Sequence, residues 1–275
     1  MKACSPTRSS PPRRRSSSAE QEGADQLDPY ERFALDYHWL VDDVELAIGS
    51  MSVGARAELA RLPKGSRVLD AACGLGVDAL VLARKGHRVT ATDASPAMIA
   101  LARQRFADSG AEIPAVRCGW HELADRLPGP FDAVLCTGNA LAHLAPDKQV
   151  ETALGGLRAV LVEGGVLILD GHEWDVVDAI GHEPQVADPL TRDGETAVCR
   201  CRWRRPSRPD DPRELEIEIE IDSPGRPRRI RTHVVTLWPH TADDLRSRLQ
   251  ATGFPQVRVE IDAGGDRHTI IARAG

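Results

Sequence analysis

The chain has 275 residues, of which 41% are hydrophobic and 4% aromatic, and a formal net charge of −6. That size and apolar content suit one large domain or two small ones and exclude a wholly disordered protein. No apolar run reaches the roughly 20 residues that span a bilayer, and the acidic balance argues against a whole-surface nucleic-acid binder while leaving room for a local basic patch.

The charge is uneven. Residues 1–18 carry Lys2, Arg8, Arg13, Arg14 and Arg15 with no acid, which leaves 30 Lys+Arg against 41 Asp+Glu, or −11, in the rest. This Ser- and Pro-rich stretch cannot bury enough apolar surface to fold, so residues 1–25 read as a disordered basic tail, either passive or a docking arm. It lacks the apolar stretch of a signal peptide, and the six cysteines have neither zinc-finger nor disulfide-framework spacing. A reducing cytoplasm is the expected setting.

From residue 66 strands and helices alternate. A strand at 67–70 leads to a helix at 77–84 closed by Gly86, then a strand at 88–92. Ser95 and Pro96 open a helix whose buried stripe is Met98, Ile99, Ala102 and Phe106. Strands follow at 115–118 and 132–137, a helix at about 147–161, and a strand at 166–170. This pattern predicts a parallel sheet covered on both faces.

Residues 198–238 change to a two-residue period. Cys199, Cys201 and Trp203 alternate with Arg200, Arg202 and Arg204. Leu215, Ile217, Ile219 and Ile221 alternate with Glu214, Glu216, Glu218 and Glu220. Ile230, Thr232 and Val234 alternate with Arg229, Arg231 and His233. The expectation is an antiparallel meander whose charged face reads Arg, Glu, Arg and whose apolar face roofs a substrate pocket. Thr241 then caps a helix burying Leu245 and Leu249, and strands at 256–261 and 268–272 close the fold as a hairpin.

The chemistry concentrates after the first strand. Gly74 and Gly76 let the backbone turn tightly and approach a ligand, and Asp93, at the end of the second strand, can accept both hydroxyls of a ribose. NAD and S-adenosylmethionine both use this layout. A pyrophosphate would be repelled by Asp70 beside the loop, whereas the ammonium of a methionine moiety would be attracted, which favours S-adenosylmethionine.

Asp70-Ala71-Ala72-Cys73-Gly74-Leu75-Gly76-Val77-Asp78 resembles the first motif of the class I methyltransferases, and Thr92-Asp93-Ala94-Ser95 with Met98 resembles the second. Gly119-Trp120 and the run 131–144, from Phe131 through Gly138-Asn139 to His143-Leu144, resemble the glycine N-methyltransferase and glycine/sarcosine methyltransferase group. The likeness covers about residues 30–175 well and the C-terminal third more loosely. It implies a Rossmann-like seven-stranded α/β sheet with the meander inserted, over 26–275. Within it lie a lid segment at about 26–62, a cofactor core at about 66–170, an antiparallel cover at about 198–238 and a closing helix and hairpin at about 241–273.

The resemblance also implies site roles. Asp70, Ala72, Gly74, Gly76, Ala94 and Met98 belong to the cofactor motifs, Asp93 holds the ribose, and Trp120 lies against adenine or packs in the core. Leu135, Cys136 and the residues up to Gly138 form the pocket wall, and His143 reaches the cofactor carboxylate or caps a helix. Candidate catalytic residues are Asn139, Tyr37, His172 and Glu173. Tyr37 falls in a segment that reads equally as a lid or as a helix packing Phe33, Tyr37 and Leu40 on the sheet. Glycine-methylating members carry an arginine where this chain has His172, and a histidine cannot form the same bidentate carboxylate pair, which argues against glycine.

The expected activity is methyl transfer from S-adenosylmethionine, with S-adenosylhomocysteine as product, to a small-molecule amine. Oxygen or carbon nucleophiles are the alternative, followed by an RNA or protein methyltransferase or a non-catalytic cofactor-binding protein. No metal site is expected, and a homo-oligomer is compatible with the sequence.

Overall fold

The computed structural model describes residues 29–40, 52–180, 183–208 and 210–275. The expected basic tail and the middle of the lid segment lie outside the described residues.

Seven strands form the main sheet: β1 (Arg67–Asp70), β2 (Arg88–Asp93), β3 (Ala115–Arg117), β4 (Phe131–Cys136), β5 (Leu161–His172), β11 (Gln256–Ile261) and β12 (Arg267–Arg273). Their order is β11-β12-β5-β4-β1-β2-β3. β1 pairs in parallel with both β2 and β4, so the chain reverses its direction of travel across the sheet at β1. Ligands bind outside the carboxyl ends of the strands at such a switch point. β12 runs antiparallel between β5 and β11.

The helices start where local chemistry directs. α1 (Pro29–Tyr37) and α2 (Val53–Arg61) precede the sheet. α3 (Val77–Arg84) begins at Gly76, whose φ of 75° puts it in the left-handed region. α4 (Pro96–Asp108) has Ser95 Oγ accepting the Met98 N–H and buries the expected stripe. α5 (Leu123–Arg126) is a single turn. α6 (Lys148–Ala159) is capped by the Asp147 carboxylate. α7 (Trp174–Ile180), not foreseen from sequence, follows β5, and α8 (Ala242–Ala251) is capped by Thr241. Two apolar layers result. Leu154, Leu157, Leu169, Leu249 and Ile270 pack on one face, and Leu80, Leu82, Phe106, Ile168 and Ile271 on the other.

The second sheet is antiparallel, in the order β10 (Arg229–Leu237), β9 (Arg213–Asp222), β8 (Glu195–Arg204), β6 (Gln185–Val186), with β7 (Leu190–Arg192) also on β8. On β8 and β9 the charged face is as expected. Arg200 pairs with Glu218 and Glu220, Arg202 with Glu216, and Arg204 with Glu214 and Glu216.

β10 departs from expectation. Its register sets Arg229 opposite Ile221, Arg231 opposite Ile219 and His233 opposite Ile217. Directly opposed residues share a face, so Ile230 and Val234 lie on the glutamate side, 60% and 40% exposed. A one-residue slip in register exchanges the faces of a whole strand. This register buries Val235 and Leu237 and brings His233 Nε2 to 3.0 Å from Asp36 Oδ2 of α1.

The apolar face also covers something other than expected. Ala197, Cys199, Ile217, Ile219 and Ile221 pack with Phe33 and Trp39 at α1, Trp174 and Val177 of α7, and Ala142. It therefore clamps the elements around the site, and the cavity itself is lined from this sheet by Val234 and Thr236, on the other face of β10, and by the following Trp238.

Candidate active site

The β1–α3 loop is pinned by its backbone. The Ala71 N–H donates to the Leu135 carbonyl at 2.7 Å and the Cys73 N–H to the Thr92 carbonyl at 2.9 Å. Gly74 adopts a φ of 50°, and its N–H donates to Asp93 Oδ2 at 2.9 Å. The other oxygen, Oδ1, accepts the Ser95 N–H at 2.9 Å. Asp93 is thus fixed at the end of β2 between two loops. The Trp120 indole N–H donates to the Ala71 carbonyl, which sets the ring beside the same loop.

A cavity of about 920 Å³ opens at this edge, near the upper end of the roughly 300–1,000 Å³ of small-molecule pockets. Of the residues singled out in the sequence, Ala72, Gly74, Asp93, Ala94, Met98, Trp120, His143 and Tyr37 line it. The others lie behind or beside it. Asp70 is buried below the loop, and Gly76 turns the chain against Phe106. Leu135 and Cys136 are interior residues of β4, where burial pushes the Cys136 thiol well up.

Of the proposed catalytic set, Tyr37 lines the cavity, and Asn139, His172 and Glu173 do not. Asn139, at a φ of 60°, donates its backbone N–H to Asp170 Oδ1 at 2.6 Å while its side chain is buried. His172 packs edge-on to Trp174 and Trp203, with ring centroids 5.6 Å from each. Burial, and then the Arg267 guanidinium, lower its pKa. Glu173 Oε1 accepts from His268 Nδ1 at 2.7 Å. On β12, residues 267 and 269 line the cavity, and His268 between them points to the opposite face of the sheet. Glu173 and His268 therefore form a latch behind the cavity wall.

Residues to which the sequence gave no individual role complete the wall. Asp170 lies two residues before the end of β5, and its Oδ2 accepts from Arg267 Nη2 at 3.0 Å. Thr269 lies directly opposite Asp170 in the β5–β12 register. Asp78, in the first turn of α3, accepts the Thr137 hydroxyl at 3.0 Å. Asp78 was legible as an acid opening a helix after a glycine loop. Arg267 carried no local signal, because only the β12 register brings it to Asp170.

Electrostatics mark the site. Burial pushes Asp78 up to about 6, with the Thr137 hydroxyl opposing and Asp170 reinforcing the shift. Asp70 is raised well above the usual carboxylate range by burial and then by Asp78 and Asp93. Tyr37 is pushed up to about 12 by burial and by Asp93 and Asp170, so its hydroxyl keeps its proton at neutral pH. Perturbed groups clustered around a cavity are a signature of a functional site.

Residues 68–165 match the family described as a methyltransferase domain. A glycine N-methyltransferase of Oryctolagus cuniculus is 33% identical over 150 residues, covering 48% of this chain and 51% of that protein. A glycine/sarcosine N-methyltransferase of Parasynechococcus marenigrum (strain WH8102) is 35% identical over 108 residues, covering 39% and 38%. The chain thus spans about half or less of the length of these curated relatives. Among solved structures, Streptomyces venezuelae DesVI superposes with a TM-score of 0.68 at 20% identity, covering 91% of this chain and 100% of that one. CalS10, an amino pentose methyltransferase from Micromonospora echinaspora solved with S-adenosylmethionine bound, gives 0.64 at 22% identity, covering 98% and 100%. The chain has the fold of these S-adenosylmethionine-dependent methyltransferase structures, and residues 68–165 are the stretch that matches the methyltransferase-domain family.

Proposed function

We propose that the protein methylates a small-molecule amine, with S-adenosylmethionine as the methyl donor. The observation that carries this reading is one cavity reaching from Asp93 and Trp120, past the glycine loop, to Asp170 and Arg267. It has room for a nucleoside at one end and an acceptor at the other. The N-methyltransferases among the relatives favour nitrogen as the nucleophile.

The residues present suit this donor. Asp93 accepts the Gly74 N–H at one oxygen and the Ser95 N–H at the other, and the carboxylate so fixed lines the cavity where two ribose hydroxyls would lie. Gly74 lets the ligand approach the backbone without a Cβ in the way. Asp70 has a buried oxygen, Oδ2, with no hydrogen-bond partner among the described residues. The raised carboxyls of Asp70 and Asp78 are groups that a cation would return to the charged form. S-adenosylmethionine carries an ammonium and a sulfonium and supplies an electrophilic methyl group.

The chain's own residues then bind, orient and exclude water. Tyr37 reaches the glycine loop from α1, and a Cβ on Gly74 would stand 4.0 Å from its ring. With its proton retained, Tyr37 can donate to a ligand atom between cofactor and acceptor. The β10 edge closes the mouth through Val234, Thr236 and Trp238. Holding two reactants together in a shielded cavity removes much of the entropic barrier to displacement. We infer a single catalytic unit over 26–275, with the second sheet as its cover. No helix among the described residues is long and apolar enough to cross a membrane.

Calorimetry with S-adenosylhomocysteine tests the cofactor site, and a screen of amines, alcohols and carbon acids with labelled methyl donor tests the acceptor. Saturable binding with label on nitrogen is the expected outcome. Absence of binding defeats the reading, and label confined to oxygen or carbon replaces amine with the alternative nucleophile.

A further inference from the structure

The strand order divides the cavity. Asp93 and Trp120 belong to the β2–β3 side, and Gly74 and Thr137 to β1 and β4. Beyond them, on β5 and β12, stand Asp170, Thr269 and Arg267. With a nucleoside at Asp93 and its amino-acid portion over the glycine loop, the β5–β12 wall faces the acceptor.

Asp170 is held there by two donors on different elements. Its Oδ1 accepts the Asn139 N–H at 2.6 Å, and its Oδ2 accepts Arg267 Nη2 at 3.0 Å. The left-handed Gly138-Asn139 turn, with φ of 77° and 60°, aims that N–H. Two donors fix the carboxylate plane, each oxygen keeps further acceptor capacity, and Asp170 lines the cavity. The Arg267 guanidinium makes no other hydrogen bond among the described residues. Five charged or titratable groups act on or near Asp170: Tyr37 from α1, Asp78 from α3, Cys136 from β4, His172 further along β5, and Arg267 from β12. Arg267 is the one guanidinium among them.

We propose that Asp170 is the catalytic residue that accepts a hydrogen bond from the N–H of the acceptor amine, and that Arg267 is the positioning residue that holds its carboxylate aimed at the cavity. This assignment rests on the N-methylation reading. An acceptor arriving as an ammonium gives one proton to water, and the neutral amine donates a remaining N–H to Asp170. Its lone pair is then turned away from β5, toward the glycine loop. An anionic acceptor atom would be repelled by the same carboxylate, so the site selects nitrogen that bears hydrogen.

The test uses the full chain, labelled methyl donor, and ethanolamine, glycine, sarcosine, glucosamine and the amine fraction of a cell extract as acceptors. Asp170→Asn should raise KM for the methylated amine about tenfold or more and change kcat less. Arg267→Met should raise KM in the same direction, and Arg267→Lys should recover part of the loss. S-adenosylhomocysteine affinity, measured by calorimetry, should stay within about twofold in all three variants. Unchanged KM in Asp170→Asn and Arg267→Met overturns the assignment. So does loss of S-adenosylhomocysteine binding confined to the variants, or a wild type that binds it and methylates no amine. A wild type that does not bind S-adenosylhomocysteine defeats the underlying reading instead.

Discussion

At the scale of single residues, Asp78 gives the site a pH dependence. Burial pushes its carboxyl up to about 6, so without ligand it is partly protonated in mildly acidic solution. A ligand ammonium favours the charged form and lowers that pKa. Affinity for S-adenosylhomocysteine should therefore rise from about pH 5 to about pH 7 and then level. Calorimetry across that range should record the rise, and Asp78→Asn should flatten it. The same shift has the opposite sign for folding. The native state binds more protons than the unfolded chain between the usual aspartate pKa of about 4 and about 6. The ligand-free protein should lose stability as pH rises through that window, and Asp78→Asn should raise Tm at neutral pH. Asp93 and Trp120 make a separate prediction. Asp93→Ala removes the acceptor for the Gly74 and Ser95 N–H groups as well as the proposed ribose contact. It should weaken S-adenosylhomocysteine binding by about tenfold or more, and Trp120→Ala should weaken it in the same direction.

At the scale of elements, the β1–α3 corner is the most constrained. Gly76 starts α3 in the left-handed region, and a Cβ there would stand 2.5 Å from the Phe106 ring and 3.2 Å from the Ala102 methyl. Gly76→Ala combines backbone strain with overpacking of two interior side chains. It should cost about 1–3 kcal/mol, read as a lower urea midpoint, and weaken cofactor binding through the displaced loop. α3, α4 and α8 were legible because cap, stripe and terminating glycine sit within one short window. β10 was not. Its alternation of Ile230, Thr232 and Val234 pointed to one face, and burial of Val235 and Leu237 selected the other. Local period cannot distinguish two registers when each would bury some apolar residues.

At the scale of the whole molecule, the second sheet is bound to the elements around the main sheet through an apolar cluster joining Ile219, Phe33, Trp39 and Trp174. Ile219 is fully buried. Ile219→Ala should cost about 2–5 kcal/mol and raise acceptor KM more than it weakens cofactor binding, because it loosens α1 and with it Tyr37. Chemical denaturation and steady-state kinetics check the two halves of this expectation. The sequence by itself determined the alternating core, the two glycines, the place of the Asp93 carboxylate at the end of β2 and the presence of an antiparallel insertion. Each of these is written in neighbouring residues, because caps, turns and periodicity act over a few positions. Tertiary structure decided which residues share the cavity. It set His172 among tryptophans, turned Glu173 to a latch with His268, and brought Arg267 to Asp170 across 97 residues of sequence. Those outcomes depend on strand order and register, which no short window contains.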